Sequence, residues 1–231
     1  MRAGIFSDIH GNIYAFEKVW KALKKESCDI YFFLGDICGY YYYQNEIIDM
    51  LRGIENLVAV KGNHDDIFLQ ALNDKELCRQ YTTKYGRAIN LFIKNIQKEH
   101  LSFLKGLPDN AVIQQYSVCL MHGSPNDFLN GYVYPDDNLN DFQDLPYRNV
   151  FLGHTHYPMH KKVKGAKIIN PGSCGQPRDY NEAAYAVFDF DSGKIRFKRV
   201  PYSQNSMIKD VLRIDHANNY LIEVLKRRKS K

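Results

Sequence analysis

Apolar positions along this chain follow two rhythms, one near two residues and one near 3.6. Residues 2 to 7 form a short apolar run. Ile13, Phe16, Val19, Trp20 and Leu23 then recur at helical spacing behind Asn12, a side chain suited to capping a helix N-terminus. A β-loop-α unit is predicted there. Residues 30 to 34 and 57 to 60 are further apolar runs with a helical segment over about 45 to 52 between them, as a βαβ pattern requires. Residues 76 to 105 read as wholly helical, with Ala88, Leu91, Phe92 and Ile96 on one face and HLSFLKGLP as a short helix stopped by Gly106 and Pro108.

After that point the texture changes. Residues 111 to 115, 117 to 121, 149 to 152, 167 to 169, 184 to 190 and 194 to 200 are strand-like runs with few helices between them. KGAK (164 to 167) and DSGK (191 to 194) have the small, polar, glycine-bearing character of hairpin turns. Residues 205 to 226 predict one closing amphipathic helix. With no repeat and no dividing linker, residues 1–231 are expected to form a single α/β domain.

Composition changes this picture little. At 231 residues, 45% hydrophobic and 25% charged, the chain is ordinary for a globular protein. No apolar stretch approaches the roughly 20 residues of a membrane span, and Asp8 and His10 come too early for a secretion signal, so a cytoplasmic location is expected. Five cysteines (Cys28, Cys38, Cys78, Cys119, Cys174) without a CxxC suggest reduced packing residues rather than disulfides or a thiolate zinc site. The net charge of +5 is concentrated at one end, where seven Lys or Arg face three acidic residues from Ser206 onward. A solvated helix end favoured by the helix dipole accounts for the tail LKRRKSK without a nucleic-acid partner.

The candidate chemistry sits immediately behind the apolar runs. Asp8 and His10 follow the first, Asp36 the second, and Asn63, His64 and Asp65 the third; His122 follows VCLM, and His154 and His156 follow VFL. A lone histidine in such a place is most simply a core imidazole bonded to a carbonyl. Here five of the eight histidines fall in one set. Ligand sites of open α/β sheets lie beyond the carboxyl ends of the strands, so these loops should converge. Residues i and i+2 of an extended segment point the same way, which would let Asp8 with His10, or His154 with His156, reach one cluster. Carboxylate, imidazole and amide oxygen form a mixed donor set suited to Mn, Fe, Zn, Co or Ni. Seven donors exceed one ion's usual needs, whereas two ions about 3.5 to 4 Å apart, sharing one carboxylate, would use them all.

DIH (8 to 10), GD (35 to 36), GNHD (62 to 65), HG (122 to 123) and GHTH (153 to 156) together resemble the calcineurin-like metallophosphoesterase superfamily. NPGSCGQPRD (170 to 179) resembles a segment of its small bacterial phosphodiesterase-like members. The resemblance implies a four-layer αββα sandwich, two mixed β-sheets flanked by helices. It implies that Asp8, His10 and His156 hold one divalent transition-metal ion, that Asn63, His122 and His154 hold a second, and that Asp36 bridges them. It further implies phosphoric ester hydrolysis, in which a metal-bound water supplies hydroxide, His64 serves as the catalytic histidine and Asp65 orients or charges it.

Departures from the family pattern narrow the substrate. After Asp36 the chain reads ICGYYYY, so the GDxVDRG pattern of serine/threonine protein phosphatases is absent and a phosphodiesterase or small phosphatase is implied. The expected substrate is a small phosphorylated molecule, nucleotides included. Tyr40 to Tyr43, Tyr41 among them, could form a wall that stacks on a nucleobase or aryl group, or a lid or subunit contact in a homo-oligomer. Arg178 could clamp a phosphate oxygen or sit in a surface ion pair. Two rival readings share the fold: a protein-interaction scaffold resembling a retromer subunit, which would show an altered metal site, and a nuclease, which would call for a broad basic face.

Overall fold

The computed structural model describes residues 1–216 and 218–226. Ten strands form two mixed sheets. In the first, β1 (Arg2–Phe6), β2 (Ile30–Phe33) and β3 (Leu57–Ala59) run parallel, and β9 (Ala183–Asp189) and β10 (Lys194–Val200) extend the β1 edge antiparallel, in the order β10-β9-β1-β2-β3. In the second, β5 (Val118–Met121), β6 (Asn149–Phe151) and β8 (Ala166–Pro171) are parallel. They lie between antiparallel β4 (Asn110–Ile113) and β7 (Pro158–Val163), in the order β4-β5-β6-β8-β7.

The two-residue period decides which face each strand buries. Ala3, Ile5, Phe32, Leu34 and Val60 of the first sheet pack against Val118, Leu120, Phe151 and Ile169 of the second to make the inter-sheet core. The alternate residues turn outward. Phe6 and Phe33 meet Phe16, Val19 and Leu23 of α1 (Ile13–Leu23) and Ile47, Ile48 and Leu51 of α2 (Gln44–Arg52). The same helical layer holds α3 (Asn63–Ala71), α4 (Lys75–Tyr85), α5 (Ala88–Asn95) and α6 (Lys98–Gly106). Asn12 caps α1 as expected, its side chain accepting from the Ala15 amide at 3.2 Å. On the other side, Cys119, Met121, Val150 and Ile168 are covered by Val133, Leu139 and Phe142 from the long β5–β6 connection, so irregular chain supplies most of that outer layer. The two mixed sheets packed face to face are the predicted architecture, with the α-helices gathered on the outer face of the first sheet.

Several boundaries differ from the sequence reading. The helical stretch 76 to 105 is three helices, because Gly86 turns at φ +84° and Ile96 is extended at ψ 132°. The closing segment is two helices, α7 (Gln204–Ile214) and α8 (Asn219–Lys226), rather than one. Asp215 interrupts it and turns its carboxylate to the Arg87 amide (3.0 and 3.1 Å) and the Tyr42 hydroxyl (3.0 Å), which a continuous helix would point elsewhere. Strand β4 stops at Ile113, where a short 3₁₀ turn takes over. Helix α3 and strand β7 have no counterpart in the sequence reading. Most of the basic tail, Arg227 to Lys231, lies outside the described residues. Among those described, no helix is long and apolar enough to cross a membrane, and all five cysteines are free thiols, three of them buried.

Candidate metal centre

Parallel pairing puts the ends of β1 and β2 side by side, since Phe6 registers with Phe33. The chain then turns sharply in both places, and Asp8 and Asp36 emerge together. Amide bonds knit the loops: Asp8 N donates to Gly35 O at 2.9 Å, and Ile9 N and His10 N both donate to Asp36 O at 2.9 and 3.0 Å. The second sheet is tied in by His122, whose Nδ1 donates to Leu34 O at 2.6 Å, and by Gly153 N donating to His122 O at 2.9 Å. Gly62 lies so close that a Cβ there would run into the Asp36 carboxylate.

The convergence does not come from strand alternation. Asp8, His10, Asp36, His154 and His156 all adopt left-handed backbone, with φ between 52° and 67°. Such a conformation costs a non-glycine residue about 1–3 kcal/mol and survives where surrounding structure over-determines it. His154 and His156 accordingly part company. Asp8, His10 and His156 bring ligand atoms within 4.8 Å of one another, as do Asp36, His122 and His154, while a third overlapping group joins His10, Asp36 and His64. All these residues are buried.

Hydrogen bonding fixes the imidazole tautomers. His10 Nδ1 faces Cys38 O at 2.9 Å, His122 Nδ1 faces Leu34 O at 2.6 Å and His156 Nδ1 faces Gln176 O at 2.8 Å. A carbonyl only accepts, so each Nδ1 carries the proton and each ring turns its Nε2 inward, the atom a metal ion would take. The His10 and His156 Nε2 atoms are 3.0 Å apart. His122 Nε2 looks at Asn63 Oδ1 (3.1 Å), Asp36 Oδ2 (3.3 Å) and Asp8 Oδ1 (4.0 Å), acceptors all. Both Asp8 carboxylate oxygens and His154 Nε2 are buried without a hydrogen-bond partner. A buried polar atom in that state is costly unless something positive answers it. The donor set fits divalent cations for that reason.

Electrostatics point the same way. Burial pushes the Asp8 carboxyl up, but His156 and His122 outweigh it and hold the group below the ordinary carboxylate range. Asp36 is likewise held well down against burial, by His122, His64 and His10. Burial would lower His122, yet Asp36 and Asp8 pull it up to about 9, the response of an imidazole ringed by carboxylates. Burial drives His10 down to about 3 and His154 to about 4, keeping both neutral and able to ligate.

The second ring of contacts includes residues that sequence reading did not single out. Ser173 Oγ donates to Asp8 O at 2.9 Å, and Asn170 Nδ2 to Gly153 O at 2.5 Å. The segment NPGSCGQ therefore braces the Asp8 and His154 loops; its resemblance to a family segment was the one clue to it. His64 stands at the edge of the cluster, its amide donating to Asp36 Oδ1 at 2.9 Å. Its Nδ1 meets the Tyr81 hydroxyl of α4, a contact for which the sequence held no signal. Asp65 is turned the other way: its oxygens accept from the amides of Asp36 (2.9 Å), Cys38 (2.8 Å) and Gly62 (3.0 Å). It therefore braces the Asp36 loop, and the partner of His64 is Tyr81.

The two substrate-contact expectations separate. Tyr41 is wholly buried, its hydroxyl donating to Leu221 O at 3.1 Å, and the four tyrosines pack under α7 and α8. Tyr42 and Tyr43 donate to Asp215 and Asp210 at 3.0 and 2.6 Å. The run is an anchor for the C-terminal helices and exposes no stacking wall, because folding the helix pair back covers it. Only Tyr40 reaches the cluster, edge-on to His10 with ring centroids 4.8 Å apart. Arg178 is half-buried, and its Nε has no acceptor.

A family model described as the calcineurin-like phosphoesterase superfamily domain matches residues 1–193. An uncharacterized protein of Methanocaldococcus jannaschii, MJ0912, is 34% identical over 222 residues, covering 86% of each chain. A metallophosphoesterase from Sphaerobacter thermophilus superposes with a TM-score of 0.81 at 28% identity over 98% of both chains. The hypothetical protein PH1004 of Pyrococcus horikoshii OT3 does so with a TM-score of 0.81 at 21% identity over 97% of both, a likeness of fold.

Proposed function

The chain belongs to the calcineurin-like phosphoesterase superfamily, and from that premise we propose that it is a metal-dependent phosphoric ester hydrolase, a phosphodiesterase or small phosphatase. The observation that carries the reading is the buried Asp8 carboxylate and His154 Nε2, which have no hydrogen-bond partner, beside His10 and His156 Nε2 atoms 3.0 Å apart. Asp8, His10 and His156 would hold one divalent ion and Asn63, His122 and His154 another, with Asp36 shared. When bound, such ions polarise a phosphoryl oxygen and bring the pKa of an attacking water toward ~7. Mn, Fe, Zn, Ni and Co all suit the donors.

The remaining work falls to the chain. Burial lowers His64 to about 4, and Asp36 only partly offsets it, so the ring is neutral near pH 7. The Tyr81 phenol is pushed far up by burial and by Asp36, and remains a donor. A phenol donating to Nδ1 leaves the His64 proton on Nε2, where it can bind the transferring phosphoryl group or pass to the departing alkoxide. Asp65 keeps the Asp36 loop in place through its three amide bonds, and a complete donor set favours hydrolysis over the scaffold alternative.

The test is a panel of aryl phosphate monoesters and diesters assayed with Mn, Ni, Co, Zn and Mg. Turnover should require added metal and disappear in Asp36→Asn. Absence of turnover with every metal and ester would sink the proposal.

A further inference from the structure

Resting on that reading, we propose that the mouth of the site selects phosphoric esters whose alcohol carries a planar aromatic ring, which stacks on Tyr132 while Arg178 takes a phosphate oxygen. Tyr132 is 58% exposed, yet its ring centroid is 4.1 Å from that of His154. Solvent-facing aromatic surface beside a buried polar centre is where a ligand's ring gains most by leaving water.

The ledge is built before any ligand arrives. Tyr134 lies alongside it, rings 5.7 Å apart and within 5° of parallel. The turn leading to it is closed by Gly123 N to Phe128 O (2.6 Å) and Ser124 N to Asp127 O (2.8 Å), and the Asp127 carboxylate accepts from the Leu129 and Asn130 amides at 3.2 and 2.9 Å. Little ordering entropy remains to be lost on binding.

Arg178 adjoins the His156 side of the same cluster through Gln176. It lies two residues beyond Gln176, whose carbonyl accepts from the His156 Nδ1 at 2.8 Å. Among the described residues its one hydrogen bond is a 3.4 Å contact to Gln176 Oε1, and its buried Nε has no acceptor. A phosphate oxygen is the partner a guanidinium matches best. Arg178 serves any phosphate; Tyr132 adds the preference for an aromatic ring.

Complexes with phosphate monoesters test this in the His64→Ala background, where hydrolysis is suppressed and binding is read apart from turnover. Calorimetry on the Mn-loaded protein compares phenyl phosphate, adenosine 5′-monophosphate and glycerol 3-phosphate. The two aromatic ligands should bind roughly 10- to 100-fold more tightly than the aliphatic one, the range of a stacking contact. Tyr132→Ala should erase that margin, Tyr132→Phe should keep it, and Arg178→Gln should weaken all three alike. Tighter binding of the nucleotide than of phenyl phosphate assigns a nucleoside, and equal binding assigns any aryl group; both support the ledge. Equal affinity for aromatic and aliphatic ligands, uniform loss in Tyr132→Ala, or no binding of any of the three overturns it. Binding with this pattern but no ester turnover by the unsubstituted protein removes the hydrolase reading alone, whereas turnover without aromatic preference removes the ledge alone.

Discussion

A histidine whose Nδ1 meets a phenol behaves differently from one that meets a carboxylate, since the phenol adds no charge to hold an imidazolium. His64 and Tyr81 are such a pair. If His64 supplies a proton to the reaction, His64→Ala should lower kcat by about 10²- to 10⁴-fold, with bound metal measured by elemental analysis unchanged. Tyr81→Phe removes one hydrogen bond, of about 0.5–1.5 kcal/mol, and should lower kcat by about 2- to 12-fold at constant KM and metal content. A change in KM alone would show that Tyr81 acts on binding instead. The GNHD motif announced His64, but its partner lies 17 residues on in a helix whose sequence reads as ordinary amphipathic surface.

At the scale of elements, the C-terminal helix pair hangs on two aspartates. Asp210 accepts from the Tyr43 and Tyr14 hydroxyls at 2.6 and 2.7 Å and from Arg213 at 2.9 Å. Burial pushes its carboxyl up, but these donors outweigh burial and hold it below the ordinary value of 3.8. A depressed folded-state pKa contributes stability that is present above the unfolded value and lost as pH falls through the folded one. Hydrogen exchange in α7 and α8 should therefore accelerate below about pH 4. Asp210→Asn should weaken docking by about 1–3 kcal/mol at pH 7 and flatten that acid dependence. Unchanged exchange in the variant would mean that apolar packing alone holds the pair. The amphipathic pattern of 205 to 226 was legible, but the break at Asp215 was not, because it answers to Arg87 and Tyr42 far away in the chain.

For the whole molecule, two buried carboxylates among several imidazoles are a costly arrangement that bound cations would relieve. A ligand that binds only the folded state at 100 times its Kd adds about 2.7 kcal/mol, worth roughly 5–11 °C in Tm for a chain of this size. Chelator treatment should lower the Tm by about that much, and Mn or Zn should restore it; indifference to chelator in a calorimetric scan would argue against resident metal. The period of apolar residues and the order of the donors are local properties. The chain therefore carried by itself the alternating strands and helices, the two faces of each strand, and the placing of the candidate donors Asp8, His10, Asp36, Asn63, His122, His154 and His156 behind the apolar runs. Tertiary structure decided how that set is divided, since left-handed turns rather than strand alternation aim His154 and His156 into different clusters. It also decided that Tyr40 to Tyr43 go under the closing helices while Tyr132 faces the opening. Burial of a side chain depends on what the rest of the chain lays over it, and no local pattern specifies that.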